Sequence, residues 1–71
     1  GDLMGKKDGT YELTCTAVLK NTGKALLCVT KEHGDIWVPQ SQIHEDSEVF
    51  DVDQDGKLIV TEWFAIQKNW V

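Results

Sequence analysis

A mainly β domain ending in a short helix is the fold class this sequence predicts, on three observations. From Tyr11 to Lys20 apolar and polar residues alternate almost without a break, the period of a half-buried strand. Short apolar runs then follow one another, separated by Asn21-Thr22-Gly23-Lys24 and His33-Gly34-Asp35, residues that tight turns use. After Thr61 the spacing changes. Trp63, Ile66 and Trp70 fall at i, i+3 and i+7, as on one face of a helix.

Each element follows from local chemistry. Residues 1–9 read as a loose arm, and 10–71 as a single small β-rich domain. In the first strand Tyr11, Leu13, Cys15, Ala17 and Leu19 point one way, and Glu12, Thr14, Thr16, Val18 and Lys20 the other. Gly23 suits a left-handed turn position, and Ala25 to Thr30 returns as the second strand. With Gly23 as the bulge residue, Leu19 pairs with Ala25, Ala17 with Leu27 and Cys15 with Val29. Apolar then meets apolar at every pair, and a slip by one residue ruins the match. This register sets Cys28 opposite Thr16, on the other face from Cys15, and keeps the two thiols apart. Ile36-Trp37-Val38 is a third strand stopped by Pro39. Residues 39–48 read as a helical turn or loop around Ile43, and Glu48-Val49-Phe50 as a short strand. Lys57 to Thr61 is a further strand. Thr61 is placed to cap a helix over 62–70, with Glu62 at its positive end. So short a helix must dock on the sheet to persist. Strands this short and this closely spaced build a small twisted sheet or a partly closed SH3-like or OB-like barrel.

Composition narrows the function classes. The chain has 71 residues, too few for a cofactor-binding α/β enzyme, and 41% of them are hydrophobic, as in a globular domain. It lacks a run of about 18 apolar residues, so no membrane partner is expected. Twelve acids stand against seven lysines and no arginine, a net charge of −5, which opposes nucleic-acid binding. Two cysteines do not staple a mini-domain, and no apolar segment follows Lys6 and Lys7 as in a secretory leader. A reduced, cytoplasmic setting is the expectation.

The sharpest motif is acidic. Asp51-Val52-Asp53-Gln54-Asp55-Gly56-Lys57-Leu58-Ile59-Val60-Thr61-Glu62 fits D-x-D-x-D-G-x5-E at every defined position. It resembles the calcium loop of EF-hands and the related dockerin loop. The resemblance implies a calcium ion held by Asp51, Asp53, Asp55, the Lys57 carbonyl and Glu62. Ile59 offers no side-chain oxygen at the ninth position, and Ile59-Val60-Thr61 favours strand where an exiting helix should begin. The competing reading is an acidic turn at Asp53-Gln54-Asp55-Gly56. On that reading no cofactor is bound.

Two further stretches, Trp37-Val38-Pro39-Gln40-Ser41-Gln42-Ile43 through Val49 and Leu58-Ile59-Val60-Thr61-Glu62-Trp63-Phe64-Ala65-Ile66-Gln67-Lys68, resemble a group of small uncharacterised phage and bacterial proteins. The resemblance implies a shared fold of strands plus helix, with Trp63 and the other apolar helix positions in the core. It carries no function with it.

Other constellations are weaker. Cys15, Cys28, His33 and His44 have no zinc-finger spacing. Cys15 lies on the apparent core face, which suits packing rather than nucleophilic attack, so no enzyme is expected. Trp37 points away from Ile36 and Val38, and either packs under the arm or helix or stands as an anchor for a partner. Lys20, Lys24 and Lys31 on the first hairpin form a candidate basic patch. The expectation is therefore a non-catalytic interaction domain with a protein partner. The alternatives are a calcium module, a nucleic-acid-associated barrel using the hairpin lysines, and an acidic mimic of DNA phosphates over Glu45 to Asp55.

Overall fold

The computed structural model describes residues 9–71. Four strands, β1 (Thr10–Asn21), β2 (Ala25–Thr30), β3 (Gly34–Pro39) and β4 (Gly56–Thr61), form one antiparallel sheet in the order β3-β2-β1-β4. A 3-10 turn (Gln40–Gln42) follows β3, and the helix α1 (Glu62–Gln67) follows β4. The sheet is open, so the expected twisted sheet is present and the partly closed barrel is not. The expected arm lies outside the described residues except for Gly9, whose carbonyl accepts the Glu62 N–H at 2.6 Å and so belongs to the folded domain.

One face of the sheet is covered. Leu13, Cys15, Val18, Leu26, Cys28, Val38, Leu58 and Val60 point to it and pack with Val49 and Phe64. The register that produces this face differs from the expected one. Cys15 pairs with Thr30, Ala17 with Val29, Val18 with Cys28 and Lys20 with Leu27. The register shifts between Cys15 and Ala17 and again between Val18 and Lys20. Each shift inserts an extra residue into β1 and rotates the side chains that follow. Val18 therefore takes the inward place expected for Ala17, and Leu19 is exposed. Along β2 the inward residues are Leu26, Cys28 and Thr30, while Ala25, Leu27 and Val29 lie outward. Cys15 and Cys28 thus share the core instead of lying on opposite faces.

The chain leaves β3 at one edge and crosses to the other. Ile43 bridges Val60, the His44 N–H donates to the Ile59 carbonyl at 2.7 Å, and the Glu48 N–H donates to the Lys57 carbonyl at 2.8 Å. The Glu48 carboxylate in turn accepts the Lys57 N–H at 2.9 Å. This irregular segment covers the outer edge of β4, and the short strand expected over Glu48-Val49-Phe50 is not formed. Gly56 makes the close approach workable. Its φ is +119°, and an added Cβ would meet Glu48 Oε1 at 2.5 Å.

The helix starts where Thr61 predicts. Thr61 Oγ1 accepts the Phe64 N–H and donates to Gln42, which ties the cap to the crossing segment. The helix ends three residues before the expected limit. Asn69 takes a left-handed φ of 63°, Trp70 N–H donates to Ala65 O and Asn69 N–H to Ile66 O. This is a Schellman ending, with the usual apolar contact across it: Trp70 meets Phe64 edge-on at 5.6 Å. The buried helix residues are Phe64 and Ala65, whereas Trp63 and Ile66 are 59% and 50% exposed. The expected face of Trp63 and Ile66 is thus the solvent face. Of that stripe only Trp70 packs on the core, stacked on His33 at 4.3 Å and on Tyr11 at 5.6 Å.

Candidate functional site

The twelve residues of the acidic motif do not form one loop. Asp51, Asp53 and Asp55 are exposed in the connection before β4, but Gly56 to Thr61 is extended strand. At about 3.3 Å per residue, β4 carries Glu62 roughly 20 Å from Asp55. Glu62 therefore cannot join the aspartates around a single ion. The Lys57 carbonyl is already engaged by the Glu48 N–H and the Ser47 hydroxyl. Among the described residues no group of three or more His, Cys, Asp or Glu side chains comes together as a metal cluster.

The first half of the motif is a self-tied turn. Asp51 Oδ1 accepts from its neighbour Val52 N–H at 2.7 Å, and Gln54 Oε1 accepts from Phe50 and Asp51 N–H. Asp53 completes the turn at a φ of +65°, a conformation that aspartate tolerates better than most residues. Asn21 links this turn to two other parts of the fold. Its amide donates to Asp51 at 2.8 Å, while its carbonyl oxygen accepts from Gly23 N–H and from the Gln40 side chain. The Asn21 amide, and after it the Val52 N–H, hold the Asp51 carboxyl below its ordinary pKa. Glu32 is likewise lowered, chiefly by the Thr14 N–H it accepts at 2.9 Å.

The three hairpin lysines do not form one patch. All are exposed, but Lys20 and Lys24 flank the first turn while Lys31 follows β2 at its far end. The seven steps from Lys24 to Lys31 span about 20 Å in extended backbone. The cysteines are core groups. Both are buried, and the Cys15 thiol donates to the Ala17 carbonyl at 3.2 Å. Burial raises the Cys15 pKa and pushes Cys28 up to about 12, which keeps both as unreactive thiols at neutral pH.

Trp37 is the predicted site residue with the most informative surroundings. It is 45% exposed on the uncovered face of the sheet and pairs with Leu27, which in turn pairs with Lys20. The neighbouring row is Ala17, Val29 and Asp35, and the next pair is Ala25 with Pro39. This half of the outer face is an apolar surface with charge at its margins. The half over β1 and β4 is more polar: it holds Glu12, Thr14 and Lys57 around Ile59, with Lys57 reaching Glu12 at 3.7 Å. The alternating pattern of β1 assigned Leu27 and Val29 to the core, so this apolar outer surface was missed. The signal for it lay in Ala25-Leu26-Leu27-Cys28-Val29, a strand apolar on both faces. Such a run belongs to a strand covered on both sides.

Compared with known proteins, no family model, no curated protein and no solved structure matches the chain.

Proposed function

We propose that this chain is a non-catalytic binding domain whose partner is a protein, contacted through the outer face of β2 and β3 around Trp37. One observation carries the reading. β2 is apolar on both faces, yet among the described residues only its inner face is covered, leaving Leu27, Val29 and Trp37 on a half-exposed surface. An apolar patch rimmed by charged residues is the usual form of a protein contact site. Tryptophan at its centre is the residue type most enriched among binding hot spots. The buried, protonated cysteines support binding over catalysis. The resemblance of the Trp37–Val49 and Leu58–Lys68 stretches suggests a phage or bacterial setting.

The test uses a photoreactive group attached at Lys20, beside Leu27, in a bacterial extract. The expected result is a protein adduct that is lost in Trp37→Ser and retained in Trp63→Ser, which removes an exposed tryptophan from the helix instead. Equal capture by both variants, or an adduct with nucleic acid in place of protein, would refute the assignment.

A further inference from the structure

Among the described residues the sheet has one edge without a neighbouring strand. The outer side of β4 is taken by residues 43–48, whereas β3 borders β2 alone. Two hydrogen bonds fix which backbone groups of β3 point outward. Lys31 N–H donates to Thr14 O, so Cys15 and Thr30 form a non-hydrogen-bonded pair and the peptide groups of Thr30 turn toward β3. Gln40 N–H donates to Lys24 O, so Pro39 and Ala25 are likewise a non-hydrogen-bonded pair. Both give the same phase. Gly34, Ile36 and Val38 bond to β2, while Asp35, Trp37 and Pro39 present their backbone to the free side. Proline has no N–H. The edge therefore offers the N–H and C=O of Asp35 and Trp37 and, beyond them, only the carbonyl of Pro39.

We propose that this edge accepts an extended segment of the protein partner as an added antiparallel strand, and that the segment reads apolar-apolar-basic over three residues. The proposal rests on the protein-binding reading above and specifies its mode. In antiparallel pairing the first residue lies opposite Trp37 and extends the outer apolar surface, with Trp37 between it and Leu27. The second lies opposite Ile36, which is half-buried on the inner side. The third lies opposite Asp35, whose side chain is exposed. Charge complementarity selects the occupant. A basic residue beside Asp35 is favoured, whereas a second copy of this −5 chain would bring two Asp35 carboxylates onto neighbouring strands of the same face. Pro39 ends the pairing, because a strand that runs past it meets no donor.

The test is amide NMR of the full chain with three capped peptides: Thr-Leu-Val-Lys-Thr, the reversed order Thr-Lys-Val-Leu-Thr, and Thr-Leu-Val-Glu-Thr. The first is expected to shift the Asp35 and Trp37 amides saturably and to slow their hydrogen exchange. The glutamate peptide should bind about threefold more weakly, and Asp35→Lys should reverse that preference. Equal binding of all three peptides, or no saturable shift at those two amides at millimolar peptide, would overturn the proposal. So would peptide-free shifts that grow with protein concentration, since a second copy would then occupy the edge. Partner capture that depends on Trp37 without protection of the Asp35 and Trp37 amides would remove strand addition alone, leaving the protein-binding reading intact.

Discussion

The two faces of β2 are built from nearly the same residue types and meet opposite fates. Leu26 and Cys28 are sealed beneath Val49 and Phe64, while Leu27 and Val29, one residue away from each, lie on the uncovered side. Hydrophobicity therefore does not decide which side of this strand is core. The decision is made by what the rest of the chain places over the sheet: the crossing segment and the helix go to one side only. The apolar surface left on the other side is what the proposed binding role draws on. Within that outer face the contrast repeats, with a charged half over β4 and an apolar half over β3.

The largest effects should come from the covered side. Phe64→Ala removes a buried aromatic ring together with its contact to Trp70. A loss of about 3–5 kcal/mol is expected, enough to unfold much of a domain this small. Trp63→Ala, on the next residue but facing solvent, should change stability by less than about 0.5 kcal/mol. Urea denaturation of the two variants checks the contrast, and equal losses would restore Trp63 to the core.

A smaller effect is expected at Gly56, which lets the crossing segment reach β4. Gly56→Ala adds a Cβ against Glu48 at a φ of +119°, and a loss of about 1–3 kcal/mol is expected. Adding Glu48→Ala should return part of that loss, because the clash disappears while the backbone strain stays. Full recovery would mean that φ at Gly56 does not matter.

The smallest effect concerns the tie between the two loops, and it depends on pH. The folded-state pKa of Asp51 lies below its unfolded value of about 3.9. Its bond to Asn21 therefore contributes fully above that value and is lost as pH falls through the folded pKa. Asn21→Ala should lower the urea midpoint at neutral pH, and the gap to the parent should narrow in acid, below about pH 4, to the part carried by the bonds to Gly23 and Gln40. A gap that stays constant down to pH 2 would mean that Asn21 acts through Gly23 and Gln40 alone.

The parts of the fold that were legible in the sequence are those decided within a few residues. Gly23 marks its turn, Pro39 ends β3, and Thr61 caps the helix because its hydroxyl meets an N–H three residues on. The parts that were not legible depend on distant contacts. The two register shifts in β1 leave no mark on composition except Val18, the one aliphatic residue on the side otherwise assigned to Glu12, Thr14, Thr16 and Lys20. The helix face was misread because the helix stops at Gln67. A stripe running on to Trp70 assumed a turn that the left-handed Asn69 prevents. The acidic motif matched by spacing alone. Its β-branched second half was the local warning that a strand, and not a helix, follows the glycine. Trp37 was visible as an outward tryptophan, but the apolar surface around it depends on a register that side-chain alternation could not supply.

The central claim is that β2 turns Leu26 inward and Leu27 outward. Urea denaturation of Leu26→Asn beside Leu27→Asn tests it most directly. Leu26→Asn, which buries an unpaired amide in the core, is expected to be unfolded or nearly so. Leu27→Asn should keep its unfolding free energy within about 1 kcal/mol of the parent. The reverse order, with Leu27→Asn the unfolded variant, would contradict the register, the outer apolar surface and the binding role drawn from them.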